Sequence, residues 1–511
     1  MNDGKICVSV CAETADEMIA NIKRAEEFAD IVEVRFDCLD KGEFNYARDD
    51  QWKATSIVHA RIITSAVETP LLTTFRTKDQ GGRRELTELE RNNFWGSGCE
   101  TDYADFEEDQ MESSWFWLWW TRICSFHNLH GEIPDISSKF DDLFKTDADV
   151  LKFASYANDV TDAIPVWNLI EKAKSLGKGI IPIAMGEAGK WTRILGLAHG
   201  AFLTYASLGS GNETAPGQVT SKDLAELYRI KDLDKDTKVY GVIGGDTSYS
   251  LSPPIHNAAF RSEKMNSVFV PLQVADLDEF VRRMVLAKSR EVELNFHGFA
   301  VTNPHKQSIV KYLDVVDETS RNIGAVNTVK IEDGKLYGYN TDAHGFIEPL
   351  KNQFGDLRNA SVAIVGSGGA ARACIYALKQ EGAEVTLFAR NPNKAQSLAD
   401  EFGITVHQLP TPDRRMPTDA DIFVNTTPLG TKGSLADQTV AVAEQLRAAQ
   451  LVYDLVYNPS ETLLMSEAGA AGVDAIGGIE MLIAQGAKQF EIWTGREAPV
   501  DEMKAEVLAR L

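Results

Sequence analysis

Residues 361–390 read SVAIVGSGGAARACIYALKQEGAEVTLFAR. A β-branched apolar run, a glycine-rich turn, a helical stretch and a second apolar run follow one another. That order is the strand–turn–helix–strand opening of a parallel α/β unit. Gly366, Gly368 and Ala371 stand at the G-x-G-x-x-A spacing of a dinucleotide turn, with Gly369 and Ala370 between them. In such a turn the backbone closes on a pyrophosphate, which the helix N-terminus faces. Alone the spacing is a weak signal; the flanking strands strengthen it. After the second run, Arg390 and Lys394 stand where an acidic residue would hold ribose hydroxyls. Two cations there suit a 2′-phosphate, so NADP is favoured over NAD. The alternative is solvated helix-cap charge.

Toward the N-terminus the pattern changes. Eight short apolar runs precede residue 230: ICVSVCA, IVEVRFD, LLTTFR, YADFE, RICSFH, VLKFAS, GIIPIAM and FLTYAS. Amphipathic stretches such as ADEMIANIKRAEEFA and VWNLIEKAKSLG lie between them. Eight strand–helix repeats predict a (β/α)8 TIM barrel. The fold class expected is thus α/β, a barrel over 1–228, a linker over 229–237, then a two-lobed α/β region. Its lobes are a substrate-binding domain at 238–342, completed by about 466–511, and a Rossmann domain at 343–465.

The bulk numbers agree with several domains, since 511 residues exceed one core. A net charge of −23 without a Lys/Arg run argues against nucleic acid as a partner. Small anionic ligands remain open, because a few local cations decide those. Cys7, Cys11, Cys38, Cys99, Cys124 and Cys374 show no CxxC or metal spacing and read as reduced structural thiols of a cytoplasmic protein. MNDGKICVSV has neither signal nor transit composition. WFWLWW at 115–120 is too short to span a bilayer and reads as a buried helix face.

In a barrel, chemistry sits at the C-terminal strand ends. Polar residues collect there: Glu33, Arg35 and Asp37 in the second run, Arg76 ending the third, His127 ending the fifth and Lys152 in the sixth. Arg193 follows the seventh, and Thr214 and Gln218 follow the eighth. A lysine between Leu151 and Phe153 is desolvated, which favours the neutral amine. Its bland reading is a strand-end lysine that snorkels to water. Amine, imidazole and guanidiniums together suit Schiff-base chemistry on a keto-acid. Asp37 reads as a structural partner of Arg35. His127 has core and chance-metal alternatives, the latter with His130; no metal is expected, for want of further ligands.

EVRFD, TTFRT followed by GG, SFH, the strand lysine, MGEAGKWTR and APGQ resemble type I 3-dehydroquinate dehydratase, in order and over residues 1–225. The resemblance implies that Lys152 forms the Schiff base and His127 is the general acid/base. It implies that Glu33, Arg35, Arg76 and Arg193 hold substrate while Thr214 and Gln218 close over it. Two positions depart from the family: Gln80 replaces a glutamate that assists the histidine, and Thr214 replaces serine.

Past residue 238 lie GVIGGDTSYSLSPPIHNAAF, FAVTNPHK, GAVNT and YNTDAHG. Ser250 and Ser252 point the same way if extended and could clamp a carboxylate. Lys306 and Asp342 form a candidate acid/base pair, whereas each polar residue alone reads as a turn or cap. With NTTPLG, DLVYNPSETLL and GGIEMLIAQGAKQFEIWTG, these strings resemble shikimate dehydrogenase. That implies Ser250, Ser252, Thr302, Asn327, Asp342 and Gln485 bind shikimate, with Lys306 and Asp342 catalytic. Tyr457 assists binding, Thr426 belongs to the cofactor site and Met481 lies near the nicotinamide. Asp246 replaces a proline common in the GVIG turn, a local change. Ser252 and Thr302, whose loss accompanies quinate use, are both present.

The order of the halves resembles the bifunctional 3-dehydroquinate dehydratase/shikimate dehydrogenase family. The resemblance implies 3-dehydroquinate and 3-dehydroshikimate as substrates, NADP as cofactor, no nucleic-acid or membrane partner, and a monomer or weak homo-oligomer. Alternatives are a dehydrogenase whose barrel is silenced by Gln80, a silent quinate/shikimate-sensing regulator, and a quinate dehydrogenase. The regulator should have lost the lysines that are intact here.

Overall fold

The computed structural model describes residues 2–40, 50–97, 101–111, 120–129, 135–409 and 420–511. The expected helix face at WFWLWW falls outside them except for Trp120, as do Cys99 and His130. The chain divides into two compact units, Met1–Ser250 with Asn266–Phe296, and Leu251–Met265 with His297–Leu511.

In the first unit all eight apolar runs are strands: β1 Lys5–Val10, β2 Ile31–Arg35, β3 Leu71–Thr74, β4 Tyr103–Glu107, β5 Thr121–Asn128, β6 Val150–Tyr156, β7 Gly179–Met185 and β8 Leu203–Ser207. The short β9, Val219–Thr220, pairs with β8. The parallel sheet runs in chain order from β7 back to β1, where β8 joins the other side of β1. Between β7 and β8 the curl is bridged by the Phe202 N–H donating to the Ile180 carbonyl at 2.8 Å. Helices follow the strands: α1 Ala15–Ala25, α2 Asp50–Ser65, α3 Glu88–Trp95, α4 Ile136–Phe144, α5 Ile164–Ser175 and α6 Lys190–His199. Thr14 and Asp135 cap α1 and α4, and a Thr87–Glu90 box opens α3.

Alternate residues of these strands face inward. Ile31, Leu72, Ile123, Val150, Ile181 and Leu203 form an apolar layer inside the sheet. Farther along the strands the inward positions turn polar, so charged groups rest on a floor that water does not reach. Residues 229–237, expected as a linker, are tied down. The Asn2 amide donates to the Ile230 and Leu233 carbonyls at 2.8 and 2.9 Å, and both apolar side chains are buried.

One cysteine expectation is corrected. Cys11 and Cys38 form a disulfide, with Cα atoms 5.5 Å apart. Both follow the ends of adjacent parallel strands, β1 and β2, a proximity that their 27-residue separation conceals. Cys7, Cys124 and Cys374 are free and buried.

After β10, Lys238–Gly244, the chain enters α7, Ser252–Ser262, which belongs to the second unit. β11, Ser267–Gln273, pairs in parallel with β10 and is followed by α8, Leu277–Phe280. The Asp159 carboxylate accepts the N–H groups of Ala275 and Asp276 at 2.6 and 3.2 Å, fixing this segment within the first unit.

The second unit holds two strand sets. β12 Phe296–Val301, β14 Thr328–Glu332 and β15 Lys335–Tyr339 form an antiparallel run, and β13 Val315–Val316 pairs in parallel with β15. α9 Glu318–Ile323 precedes β14, and α10 Asp342–Phe354 leads out of β15. The dinucleotide-type stretch then gives β16 Ser361–Val365, α11 Gly369–Gln380 and β17 Glu384–Ala389, as its sequence predicts. α12 Pro392–Phe402, β18 Thr405–Gln408, β19 Ile422–Asn425, α13 Ala443–Leu446, β20 Leu451–Asp454, α14 Leu463–Ala471 and β21 Asp474–Ile476 complete an all-parallel sheet, ordered β18-β17-β16-β19-β20-β21. α15 Gly478–Thr494 and α16 Val500–Leu508 end the chain.

Candidate functional site

In the first unit eight of the nine barrel residues singled out from sequence, all but Asp37, line one cavity. They are Glu33, Arg35, Arg76, His127, Lys152, Arg193, Thr214 and Gln218, joined by Gln80, Ser9 and Tyr205. Register explains the convergence. Ser125 pairs with Lys152 across β5 and β6, so His127, two residues farther along β5, shares the same face.

Lys152 is 4 % exposed, and its Nζ lies 4.1 Å from the Tyr205 ring centre. Its Nζ donates to Asp105 Oδ2 at 2.7 Å. Arg76 Nη2 lies 2.5 Å from that same oxygen. Burial pushes the ammonium of Lys152 below its ordinary value; Arg76 adds to this and Asp105 opposes it. Burial works against the Asp105 carboxylate, but Arg76 and Lys152 outweigh it and hold the group well below the usual carboxylate range.

His127 Nε2 is 3.0 Å from Arg76 Nη1. An arginine N–H can only donate, so Nε2 accepts and the neutral ring carries its hydrogen on Nδ1. Nδ1 is buried without a hydrogen-bond partner among the described residues. Burial first, then the Arg76 and Lys152 charges, pull the imidazole far below its ordinary pKa. Gln80 does not serve the ring: its Oε1 accepts the His127 backbone N–H at 3.3 Å.

Glu33 accepts the hydroxyls of Thr74, at 2.7 Å, and Ser9. The expected Arg35–Asp37 pair is present, with two bonds of 2.9 and 2.8 Å. Arg193 is different. It is 2 % exposed, it has no carboxylate partner among the described residues, and its Nη1 makes one long bond, 3.4 Å, to the Tyr205 carbonyl. Burial pulls its guanidinium down to about 10. A buried cation without a counter-charge beside an open cavity is suited to a carboxylate ligand. Thr214 and Gln218 are tied together, Gln218 Oε1 accepting the Thr214 N–H at 2.7 Å.

In the second unit, Lys306 Nζ donates to Asp342 Oδ2 at 2.5 Å, and Asn327 Nδ2 donates to Asp342 Oδ1 at 2.7 Å. Three residues proposed from separate sequence strings thus share one carboxylate. Gln489, absent from the sequence reading, supports this cluster by donating to the Asn327 carbonyl and the Thr328 hydroxyl at 3.2 and 3.0 Å. Gln485 lies on α15 where that helix meets Gly345 of α10; a Cβ at Gly345 would come within 2.6 Å of the Gln485 Cβ. Thr302 precedes the turn that carries Lys306, its carbonyl accepting the His305 N–H. Tyr457 follows β20.

The Ser250–Ser252 stretch is not extended. Leu251 sits at φ −89°, ψ 1°, and Ser252 opens α7. Asp246 accepts the Ser248 N–H at 2.9 Å.

At the dinucleotide turn, Gly366 has φ +111°, and a Cβ there would approach Thr426 Oγ1 to 2.5 Å. Glycine is required on both counts. At Gly368 and Gly369 a Cβ would meet nothing within 4 Å among the described residues, which leaves space above the N-terminus of α11. Ala370 and Ala371 continue the helix. Arg390 and Lys394 are exposed just past β17. Space at a helix N-terminus with two flanking cations fits a phosphorylated dinucleotide. Met481 lies on α15 against the sheet core. Among the described residues no group of three metal-ligating side chains occurs, and no helix is long and apolar enough to cross a membrane.

As a class, these units make an α/β enzyme with two chemistries, carbonyl–amine condensation in one and proton transfer beside a dinucleotide turn in the other. Family models match accordingly: type I 3-dehydroquinase over residues 6–235, the shikimate dehydrogenase substrate binding domain over 242–329, shikimate/quinate 5-dehydrogenase over 348–456, and the shikimate 5′-dehydrogenase C-terminal domain over 478–508. The chloroplastic bifunctional 3-dehydroquinate dehydratase/shikimate dehydrogenase of Arabidopsis thaliana is 34% identical over 98% of this chain and 83% of its own. The shikimate dehydrogenase (NADP(+)) of Methanobrevibacter smithii is 39% identical over 53% of this chain and 96% of its own. A Thermus thermophilus shikimate 5-dehydrogenase solved with NADP(H) and shikimate is 32% identical over 53% of this chain and 99% of its own, with a TM-score of 0.46. The chain belongs to the family of bifunctional 3-dehydroquinate dehydratase/shikimate dehydrogenases.

Proposed function

We propose that the first unit dehydrates 3-dehydroquinate to 3-dehydroshikimate through an imine on Lys152, and that the second reduces 3-dehydroshikimate to shikimate with NADPH. The observation that carries the first step is the buried Lys152 amine in one cavity with Arg193, which has no carboxylate partner among the described residues. The neutral amine attacks the ketone carbon and the oxygen leaves as water. The resulting iminium draws electrons from the neighbouring C–H. His127 Nε2 takes that proton once substrate displaces the Arg76 N–H. It then returns the proton to the departing hydroxyl, which leaves as water, and a water molecule finally hydrolyses the iminium, restoring the product ketone and the Lys152 amine. Arg193 pairs with the substrate carboxylate, Glu33, Arg35 and Arg76 hold its oxygens, and Thr214 and Gln218 close over it.

In the second step, Ser252 holds the carboxylate, while Thr302, Asn327, Gln485 and Tyr457 hold the ring. NADPH, when bound, supplies the hydride to the carbonyl carbon. Lys306, oriented by Asp342, gives its proton to the carbonyl oxygen. Residues 366–371 and Thr426 hold the pyrophosphate side, Arg390 and Lys394 the 2′-phosphate, and Met481 the nicotinamide side.

The functional division follows 1–228, 229–237, 238–342 with 466–511, and 343–465; the spans of the family matches support it. The reading carries a cytoplasmic location and a monomeric or weakly homo-oligomeric state. The buried thiols of Cys7, Cys124 and Cys374 support a reducing compartment, and the Cys11–Cys38 disulfide is the observation against it. The test is Lys152→Ala. Dehydration should be abolished while reduction of added 3-dehydroshikimate stays intact; joint loss of both activities would contradict two independent sites.

A further inference from the structure

Asp105 was not among the residues singled out from sequence, yet it lies at the centre of the barrel cluster. It sits on β4, is 3 % exposed and faces the cavity side of the sheet. Its Oδ2 touches both Lys152 Nζ, at 2.7 Å, and Arg76 Nη2, at 2.5 Å, and Arg76 in turn touches the His127 ring. One carboxylate oxygen therefore joins the amine to the group that orients the imidazole. The apolar layer beneath, with Ile123 and Val150 nearby, offers no substitute charge.

We propose that Asp105 is a positioning residue for the dehydration, acting as the fixed counter-ion of the Lys152 nitrogen before and after imine formation. The inference rests on the Schiff-base reading above. Its chemistry follows from the charge balance, R–NH3⁺ + O=C → R–NH⁺=C + H2O. The nitrogen is cationic at both ends and neutral only while it attacks. The C–N bond forms as the C–O bond breaks, and the water carries away the two protons that the nitrogen loses. A fixed anion stabilises both cationic forms over the neutral one, and it also keeps Arg76 from repelling the iminium. The other charged or titratable groups facing Lys152 are Glu33 and Arg35 on β2, Arg76 after β3, His127 on β5, Tyr205 on β8, Cys7 on β1 and Arg193 on α6. Among the described residues only Glu33 shares the sign of Asp105 in that set, and it is held by two hydroxyls.

The test compares wild type, Asp105→Asn and Asp105→Glu. Two readouts are used, the pH profile of dehydration and borohydride trapping with 3-dehydroshikimate, followed by mass spectrometry of the Lys152 peptide. In Asp105→Asn the acid limb should move down by about one pH unit or more, because an opposite charge within hydrogen-bond reach is removed. Its plateau should fall roughly 10²-fold, and trapping on Lys152 should fall with it. Asp105→Glu restores the charge, so its limb should return to within about half a pH unit of wild type while its plateau stays reduced. An Asn variant that is slower but has an unmoved limb and undiminished trapping would overturn the proposal. Should the Asn variant fail to fold, as judged by loss of the first unit's melting transition in scanning calorimetry, the Glu variant decides: a limb displaced by about a unit overturns it. Absence of trapping on Lys152 in wild type would instead sink the Schiff-base reading.

Discussion

Replacing Arg193 with methionine should make the protein more stable and its dehydratase almost inactive. The guanidinium is 2 % exposed, and its Nε has no hydrogen-bond partner among the described residues. Burial takes it down to about 10, against an ordinary value of about 12.5–13.8. At about 1.36 kcal/mol per tenfold in proton affinity, carrying that charge costs the fold about 3 kcal/mol. For a base depressed in the folded state, this cost is present at every pH below the folded value. It is therefore constant through neutrality and fades only as pH rises above about 10. Methionine keeps much of the stem volume and removes the charge, so the gain expected is about 1–3 kcal/mol. At roughly 2–4 °C per kcal/mol, the Tm of the first unit should rise by several degrees. A substrate carboxylate loses its partner, a loss of about 2–5 kcal/mol, so kcat/KM for dehydration should fall by roughly 30- to 5,000-fold. Scanning calorimetry and steady-state kinetics on Arg193→Met measure both effects. A variant that melts below wild type and still dehydrates would refute the reasoning, because the arginine would then hold the fold rather than the substrate.

Arg390→Ala should weaken NADPH binding by about tenfold or more with little change for NADH; equal loss for both, measured by titration, would remove the 2′-phosphate assignment. Gln80→Glu should speed proton transfer and alter the pH profile of dehydration, because a carboxylate favours the imidazolium that burial disfavours. An unchanged profile would mean that position 80 acts only on the His127 backbone. Asp342→Asn should lower reduction by roughly 10²–10⁴-fold while dehydration is retained, since Lys306 and Asn327 lose their shared carboxylate. Gly366→Ala should abolish NADPH binding, as its Cβ would lie 2.5 Å from Thr426 Oγ1; binding within about twofold of wild type would show that the turn yields.

The sequence made the strands legible because their apolar runs are short and bounded, and the glycine turn because its spacing is tied to flanking strands. The convergence of Glu33, Arg76, His127, Lys152 and Arg193 followed from the rule that barrel chemistry gathers at strand ends. Asp105 was missed although its run, YADFE, was recognised as a strand. The usable signal was period two, which puts Tyr103, Asp105 and Glu107 on one face of a strand whose neighbours bury theirs. Gln489 lies on a helix far along the chain from Asn327, and no local pattern marks it. The Cys11–Cys38 bond was invisible to spacing rules, yet the predicted barrel already made β1 and β2 neighbours. Gln80 was noticed through the resemblance, but its actual partner, a backbone N–H, depends on how the loop folds. The turn at Leu251 likewise depends on where α7 begins.

The measurement that tests the central claim most directly is a single cuvette of purified protein given 3-dehydroquinate alone and then NADPH. The account predicts growth of the conjugated-enone absorbance in the first phase and NADPH oxidation in the second, with shikimate as the product. No enone in the first phase, with NADPH oxidised only when 3-dehydroshikimate is supplied, would contradict it and leave a dehydrogenase with a silent barrel.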